Sequence, residues 1–349
     1  MLIGTAWKKA IVVVLLVLLS ASGSAQESVA ELQFRQPLLS EADAFRTLQS
    51  LVKVKGMDGL YLMTHYGDRE KLFQEENQNL IDDPFINDRS RYCSVFSTRT
   101  ADAVLMGRNW DNENVGSIIV SFYHPPDGYA SISFSRAVDL GFGKGVDLLE
   151  LASVEPGRKL LLAPFYAMDG INEHGLAVAV AGDEESIVQA RSDREPVFVS
   201  YLIRRMLDRT RTTEEAVQLA RGCAPFLLDR NTLVAHLLIV DSSGSSVVLE
   251  YVDDEWRETS GEASWQVMST KRVHEVADSA LREKCWRYRT MSEALEAEGG
   301  NVDWKASMNI LRDVEQKGTT WSIVYSASTR DVYFSVYKEW GRIYHLKPF

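Results

Sequence analysis

The chain has 349 residues, 45% of them hydrophobic and 25% charged, with a formal net charge of −11. That length holds one large domain or two small ones, and the composition excludes a disordered chain. The acidic balance argues against nucleic acid or an anionic membrane surface as a partner.

The first stretch carries Lys8-Lys9, an apolar run from Ala10 to Leu19, and the small residues Gly23-Ser24-Ala25. This pattern predicts a signal peptide over residues 1–25 and an exported protein, periplasmic or secreted. The apolar run is shorter than the ~20 residues a membrane-spanning helix needs, and no other stretch approaches that length.

Residues 26–92 precede the first candidate nucleophile. Ser40-Glu41-Ala42-Asp43 predicts a helix start, with apolar residues at helical spacing from Ala44 to Val54. Gly59 to Thr64 predicts a short strand, and a charged stretch from Arg69 to Arg91 follows. The segment reads as a partly helical prosegment with enough apolar surface to dock on the rest of the chain.

The richest chemistry lies in Arg91-Tyr92-Cys93-Ser94-Val95-Phe96 and in Arg108-Asn109-Trp110-Asp111. A free cysteine has a pKa near ~8.5 and needs a base at neutral pH. Cutting the bond after Tyr92 would make Cys93 an amino terminus, whose α-amine can take the proton within the same residue. Ser94 to Phe96 predicts one strand and Ala103 to Met106 its antiparallel return, through a polar turn at Thr98 to Asp102. That hairpin brings Arg108 and Asp111 back beside Cys93. The arginine can hold the sulfur as thiolate, and Asp111 can orient the α-ammonium or bind polar groups of a substrate.

Further strands are predicted over Ser117 to Tyr123, Ala130 to Phe134 and Leu160 to Phe165, with a turn at Pro125-Pro126-Asp127-Gly128. Asp169-Gly170-Ile171-Asn172-Glu173-His174-Gly175-Leu176 carries turn chemistry ahead of a buried strand to Val180. Pro196 to Arg221 predicts two helices, the second entered by a Thr N-cap with acidic residues in its first turn. Strands follow over Leu233 to Val240 and Val247 to Tyr251, and a last hairpin over Thr319 to Tyr325 and Val332 to Tyr337. His236 opens an apolar strand and reads as a packed histidine, not a base. Gly141-Phe142-Gly143-Lys144-Gly145 lacks the ending and context of a phosphate loop. No metal-ligand spacing is visible, and no cofactor is expected. With Cys93 catalytic, Cys223 and Cys285 either pair or are ordinary buried thiols.

Cys-Ser-Val-Phe at residue 93, followed by Gly-Arg-Asn-Trp-Asp at residue 107, resembles the start of the mature chain in the choloylglycine hydrolase group of N-terminal nucleophile (Ntn) hydrolases, which includes acid ceramidase-like enzymes and penicillin V acylases. The segments from Asp169 to Leu176 and from His236 to Gly244, and the last hairpin, resemble the group in the same order. The resemblance implies an α+β fold, a four-layer αββα sandwich of two packed antiparallel sheets, and hydrolysis of a linear amide of a small N-acyl substrate. It implies domains of 26–92, a prosegment or small subunit, and 93–349, the catalytic unit. It implies autocleavage between Tyr92 and Cys93 and an oxyanion donor at Asn172. Val267-Met268-Ser269-Thr270 falls where relatives carry Thr-Asn, so Thr270, or Ser269, would supply a hydroxyl instead. Arg287, or Arg289, falls where relatives have an active-site arginine. Two alternatives remain at this point: an unprocessed ligand-binding protein of the same fold, and an acyltransferase.

Overall fold

The computed structural model describes residues 14–18, 28–32, 43–67, 73, 93–112, 116–182, 194–226, 235–261 and 264–349. Two sheets form its centre. The larger has nine strands, in the order Glu255–Ser260, Ser246–Val252, Ala235–Val240, Ala177–Gly182, Asp169–Asn172, Ser131–Arg136, Ile118–Tyr123, Leu60–His65 and Val52–Lys53. The smaller has six: Trp265–Met268, Ser94–Arg99, Val104–Asp111, Thr319–Ser326, Val332–Val336 and Tyr344–Leu346.

Both faces of the central strands are covered, which accounts for nearly continuous apolar sequences such as Ile118–Tyr123 and Ala177–Gly182. In Ser94–Arg99, Val95 joins the main core, while Phe96 joins a second cluster with Leu281, Tyr288, Met291 and Leu311. Those partners come from the helices Asp278–Lys284, Trp286–Ala297 and Trp304–Asp313, which cover the smaller sheet. The helices Val199–Arg209 and Thr213–Arg221 cover the larger one. Gly170 makes room there, because a Cβ would lie 2.7 Å from the Leu207 side chain. The result is the expected αββα sandwich.

The segment ahead of Cys93 is built into this frame. Leu60–His65 pairs in parallel with Ile118–Tyr123 along its whole length, and Leu60, Tyr61, Leu62 and Met63 are buried. Tyr61 Oη donates to Asp147 (3.2 Å), and Tyr337 Oη donates to the carbonyls of Gly59 (2.9 Å) and Gly116 (3.0 Å). Phe73 stacks on Phe165 at 4.9 Å and lies 4.8 Å from the Tyr201 ring. The rest of Arg69 to Arg91, together with Tyr92, lies outside the described residues. Val14–Leu18 pairs with Ser28–Leu32 in a separate ribbon that shares no ladder with either sheet; the other residues of the predicted signal peptide lie outside the described set. Among the described residues, no helix is long and apolar enough to cross a membrane.

Two expectations need correction. Leu160 to Phe165 is not a strand but part of a 3-10 run, Glu155–Tyr166. Pro164 interrupts any strand ladder because it has no N–H, and an apolar run alone does not separate strand from helix. Second, Glu195–Phe198 is extended and pairs in parallel with Cys223–Phe226, so the first predicted helix begins at Val199. The second is capped as predicted, Thr212 Oγ1 accepting from Glu215 N at 3.2 Å. Of the two readings left open for Cys223 and Cys285, the second is observed: both are free and buried, in different core clusters. They are ordinary packed thiols.

Candidate active site

Ser94 pairs with Asn109 across the hairpin. Strand alternation then sends Cys93, Val95, Arg108 and Trp110 between the sheets, and Ser94, Asn109 and Asp111 towards the helices. Contacts agree: Asn109 Nδ2 donates to the Leu311 carbonyl (2.7 Å) on the helix Trp304–Asp313.

On the inner side, Arg108 Nη2 lies 3.7 Å from Cys93 Sγ and donates to the Val180 carbonyl at 2.9 Å. Its Nη1 donates to the Met168 carbonyl at 2.6 Å and to Asp169 Oδ2. Asp169 also accepts from Trp321 Nε1 (2.9 Å) and Tyr325 Oη (2.5 Å). Both charged side chains are fully buried. The guanidinium sits over the Trp110 ring, 4.7 Å from its centroid.

On the outer side, Arg287 Nη1 donates to the Cys93 carbonyl at 2.6 Å and to Ser94 Oγ at 3.3 Å, and Nη2 donates to Thr270 Oγ1 at 3.3 Å. Asp111 Oδ2 lies 3.8 Å from Arg287 Nη1, and Oδ1 accepts from Thr319 Oγ1 at 2.6 Å. The fold therefore brings Cys93, Arg108, Asp111, Thr270 and Arg287 together. Of the paired alternatives, Arg289 is exposed, and the Ser269 hydroxyl accepts from Lys271 N at 3.3 Å.

Asn172 is placed differently from expectation. Its Nδ2 donates to the carbonyls of Leu207 (3.0 Å) and Thr210 (2.8 Å), and its Oδ1 accepts from the backbone of His174 and Leu176 (3.1 Å each). Both amide hydrogens satisfy carbonyls at the end of a helix, where such groups lack partners of their own. No N–H is left for an oxyanion, so the residue ties the turn to the helix Val199–Arg209. Its segment reaches the cysteine through Asp169 instead. Sequence reasoning does not single out Asp169, Trp321, Tyr325 or Thr319. Asp169 heads a motif that the sequence displays, but only the tertiary fold shows what its side chain holds.

His236 is packed, as expected, with Nδ1 3.0 Å from Glu250 Oε1 and both side chains buried. Glu250 also accepts from Val273 N (2.8 Å) and His274 N (2.6 Å), which pins the segment after Thr270. Burial pushes this carboxyl up, but His236 and the two backbone donors outweigh burial and hold it below its ordinary range.

Burial pushes Asp111 from 3.8 to about 7, against the pull of Thr319, Arg287 and Arg108. The 3.8 Å gap to Arg287 is too long for a hydrogen bond, and Oδ2 has no hydrogen-bond partner among the described residues. A folded carboxyl that holds its proton more tightly than the unfolded one favours folding fully below pH ~4. That contribution disappears as pH rises through about 7, and a shift of this size corresponds to roughly 4 kcal/mol. In an uncut Cys93→Ala background, the stability advantage of Asp111 over Asp111→Asn is therefore expected to shrink by a few kcal/mol between pH 4 and pH 8. Urea unfolding at the two pH values checks this, and a difference that stays flat would disprove it.

The sandwich and the cysteine at the head of its central hairpin define an Ntn-hydrolase fold. A family model described as acyl-coenzyme A:6-aminopenicillanic acid acyl-transferase matches residues 162–338, and the chain belongs to that family, within the choloylglycine hydrolase-like Ntn group. Among solved structures, a mutant of conjugated bile acid hydrolase from Clostridium perfringens superposes with a TM-score of 0.53 at 14% identity, covering 72% of this chain and 91% of that one. A second variant of the same enzyme gives 0.50 and 14%, covering 72% and 92%. Penicillin V acylase from Agrobacterium tumefaciens gives 0.49 and 17%, covering 70% and 83%. No curated protein sequence matches the chain.

Proposed function

We propose that this chain is an exported amidase that cuts itself before Cys93 and then hydrolyses the linear amide bond of a small N-acyl substrate. The observation that carries this reading is the clamp on Cys93, with Arg108 at its sulfur and Arg287 at its carbonyl. In self-cleavage, Cys93 Sγ adds to the Tyr92 carbonyl and the C–N bond breaks. Water hydrolyses the resulting thioester, leaving a carboxylate on Tyr92 and an ammonium on Cys93. Asp111, 3.8 Å from the Arg287 group that holds the Cys93 carbonyl, serves as counter-ion to this new charge.

Turnover then uses the α-amine. It takes the thiol proton as sulfur attacks the substrate carbonyl, and returns it to the departing amine as the C–N bond breaks. Water enters, gives a proton to the α-amine and hydrolyses the thioester; the acid leaves and the thiol is restored. The reading calls for no metal and no cofactor. The fragment ending at Tyr92 stays as a small subunit, because its strand Leu60–His65 lies inside the larger sheet.

A second reading is acyl transfer, in which an amine replaces water at the thioester. The family's description names an acyl-transferase, while the structural neighbours are hydrolases by name; one thioester serves both. Intact mass and amino-terminal sequencing of the purified protein test the main reading. Two fragments, one starting at Cys93, together with release of amine from N-acyl amides, are expected. A single uncut chain without turnover would overturn the reading and leave a ligand-binding protein.

A further inference from the structure

The four Nη contacts of Arg108 go to Met168 O, Asp169, Val180 O and Cys93 Sγ, which fixes the guanidinium in one orientation. Only one of these acceptors, Asp169, carries a charge that can neutralise it. We infer that Asp169 is a positioning residue that acts through Arg108: by cancelling the guanidinium charge at the sulfur, it keeps the Cys93 thiol protonated at rest. The inference rests on the reading of Cys93 as the nucleophile.

The magnitudes support it. A lone cation about 4 Å from the sulfur, at an effective dielectric constant near 20, would favour the thiolate by several kcal/mol, enough to ionise it at neutral pH. A buried carboxylate bonded to the same guanidinium removes most of that field. Burial raises the Asp169 carboxyl above its ordinary range and outweighs the pull of Arg108, Tyr325 and Trp321. The geometry nevertheless favours the ionised form, since three donors converge on this one carboxylate and an ionised carboxylate only accepts. Among the described residues, the other charged groups near Cys93 are Arg287, at its carbonyl, and Asp111 beyond it, both across the strand. Arg108 thus supplies a hydrogen bond with little net charge, and deprotonation waits for the α-amine. The resulting nucleophile is the better for it, since intrinsic thiolate reactivity falls with thiol pKa.

Thiolate absorbance at 240 nm, titrated against pH and taken as a difference from Cys93→Ala, needs no reagent access and no turnover. Intact mass ensures that cut samples are compared with cut and uncut with uncut. Asp169→Asn keeps the shape and removes the charge, so it should raise the thiolate fraction at pH 7 about tenfold or more. Adding Arg108→Gln should bring the titration back towards wild type, which a merely structural defect would not do. An Asp169→Asn titration that stays in place or moves to higher pH overturns the inference. If that variant does not fold, the double variant Asp169→Asn/Arg108→Gln alone decides: a thiolate fraction within about threefold of wild type supports cancellation, and a larger change in either direction overturns it. Because the readout is proton affinity, a protein without amidase activity still reports on Asp169.

Discussion

A Cys93→Ala chain is expected to purify as one uncut polypeptide that folds normally and turns over no N-acyl amide. Alanine has neither the sulfur that attacks Tyr92 nor the one that would form the thioester, so processing and turnover should fail together. Folding should survive. Cys93 is fully buried, but losing a sulfur from a packed site costs on the order of ~1 kcal/mol, well inside the stability of a domain. Mass spectrometry, circular dichroism and an amine-release assay check the three parts. Turnover persisting in this variant would remove Cys93 from the chemistry. Cys93→Ser is expected to cut slowly, since a hydroxyl can still attack the Tyr92 carbonyl, and to hydrolyse poorly.

Residues 93–349 expressed alone are expected to aggregate. Without Leu60–His65, the strand Ile118–Tyr123 becomes an unprotected apolar edge. The missing strand also removes buried Leu60, Tyr61, Leu62 and Met63. At about 1.5–3 kcal/mol per buried apolar side chain, their loss rivals the net stability of about 5–15 kcal/mol that holds a typical domain together. Co-expression of residues 26–92 should recover soluble, two-fragment protein. A cooperative unfolding transition from residues 93–349 alone would show that the earlier segment is dispensable and contradict a built-in small subunit.

Much of the fold was legible because its central strands carry strong local signals. Gly59 to Thr64, Ser94 to Phe96 and Ser117 to Tyr123 all lie where strands are observed. The Cys93 hairpin was readable down to its turn, and with it the approach of Arg108 and Asp111. Arg287 and Thr270 were located by motif, and their side chains meet at 3.3 Å, whereas Arg289 is exposed. Local pattern fails where tertiary partners decide. Leu160 to Phe165 looks like a strand until its proline meets a sheet that has no place for it. Asn172 has the side chain for an oxyanion donor, but Leu207 and Thr210 claim both of its hydrogens. Asp169 was invisible as a functional group because its partners Trp321 and Tyr325 lie far along the chain.

The strand Thr319–Ser326 sits in the middle of the smaller sheet, between Val104–Asp111 and Val332–Val336. It supplies Thr319 to Asp111, and Trp321 and Tyr325 to Asp169. A nascent polypeptide leaving the ribosome has made Cys93 and Arg108 long before this strand exists. Until it arrives, Asp111 and Asp169 lack these partners, and Val104–Asp111 has a bare edge. Self-cleavage of the proposed kind therefore waits for translation to pass this strand, and a truncated product stays uncut. The cut itself becomes a mark that the sheet has closed.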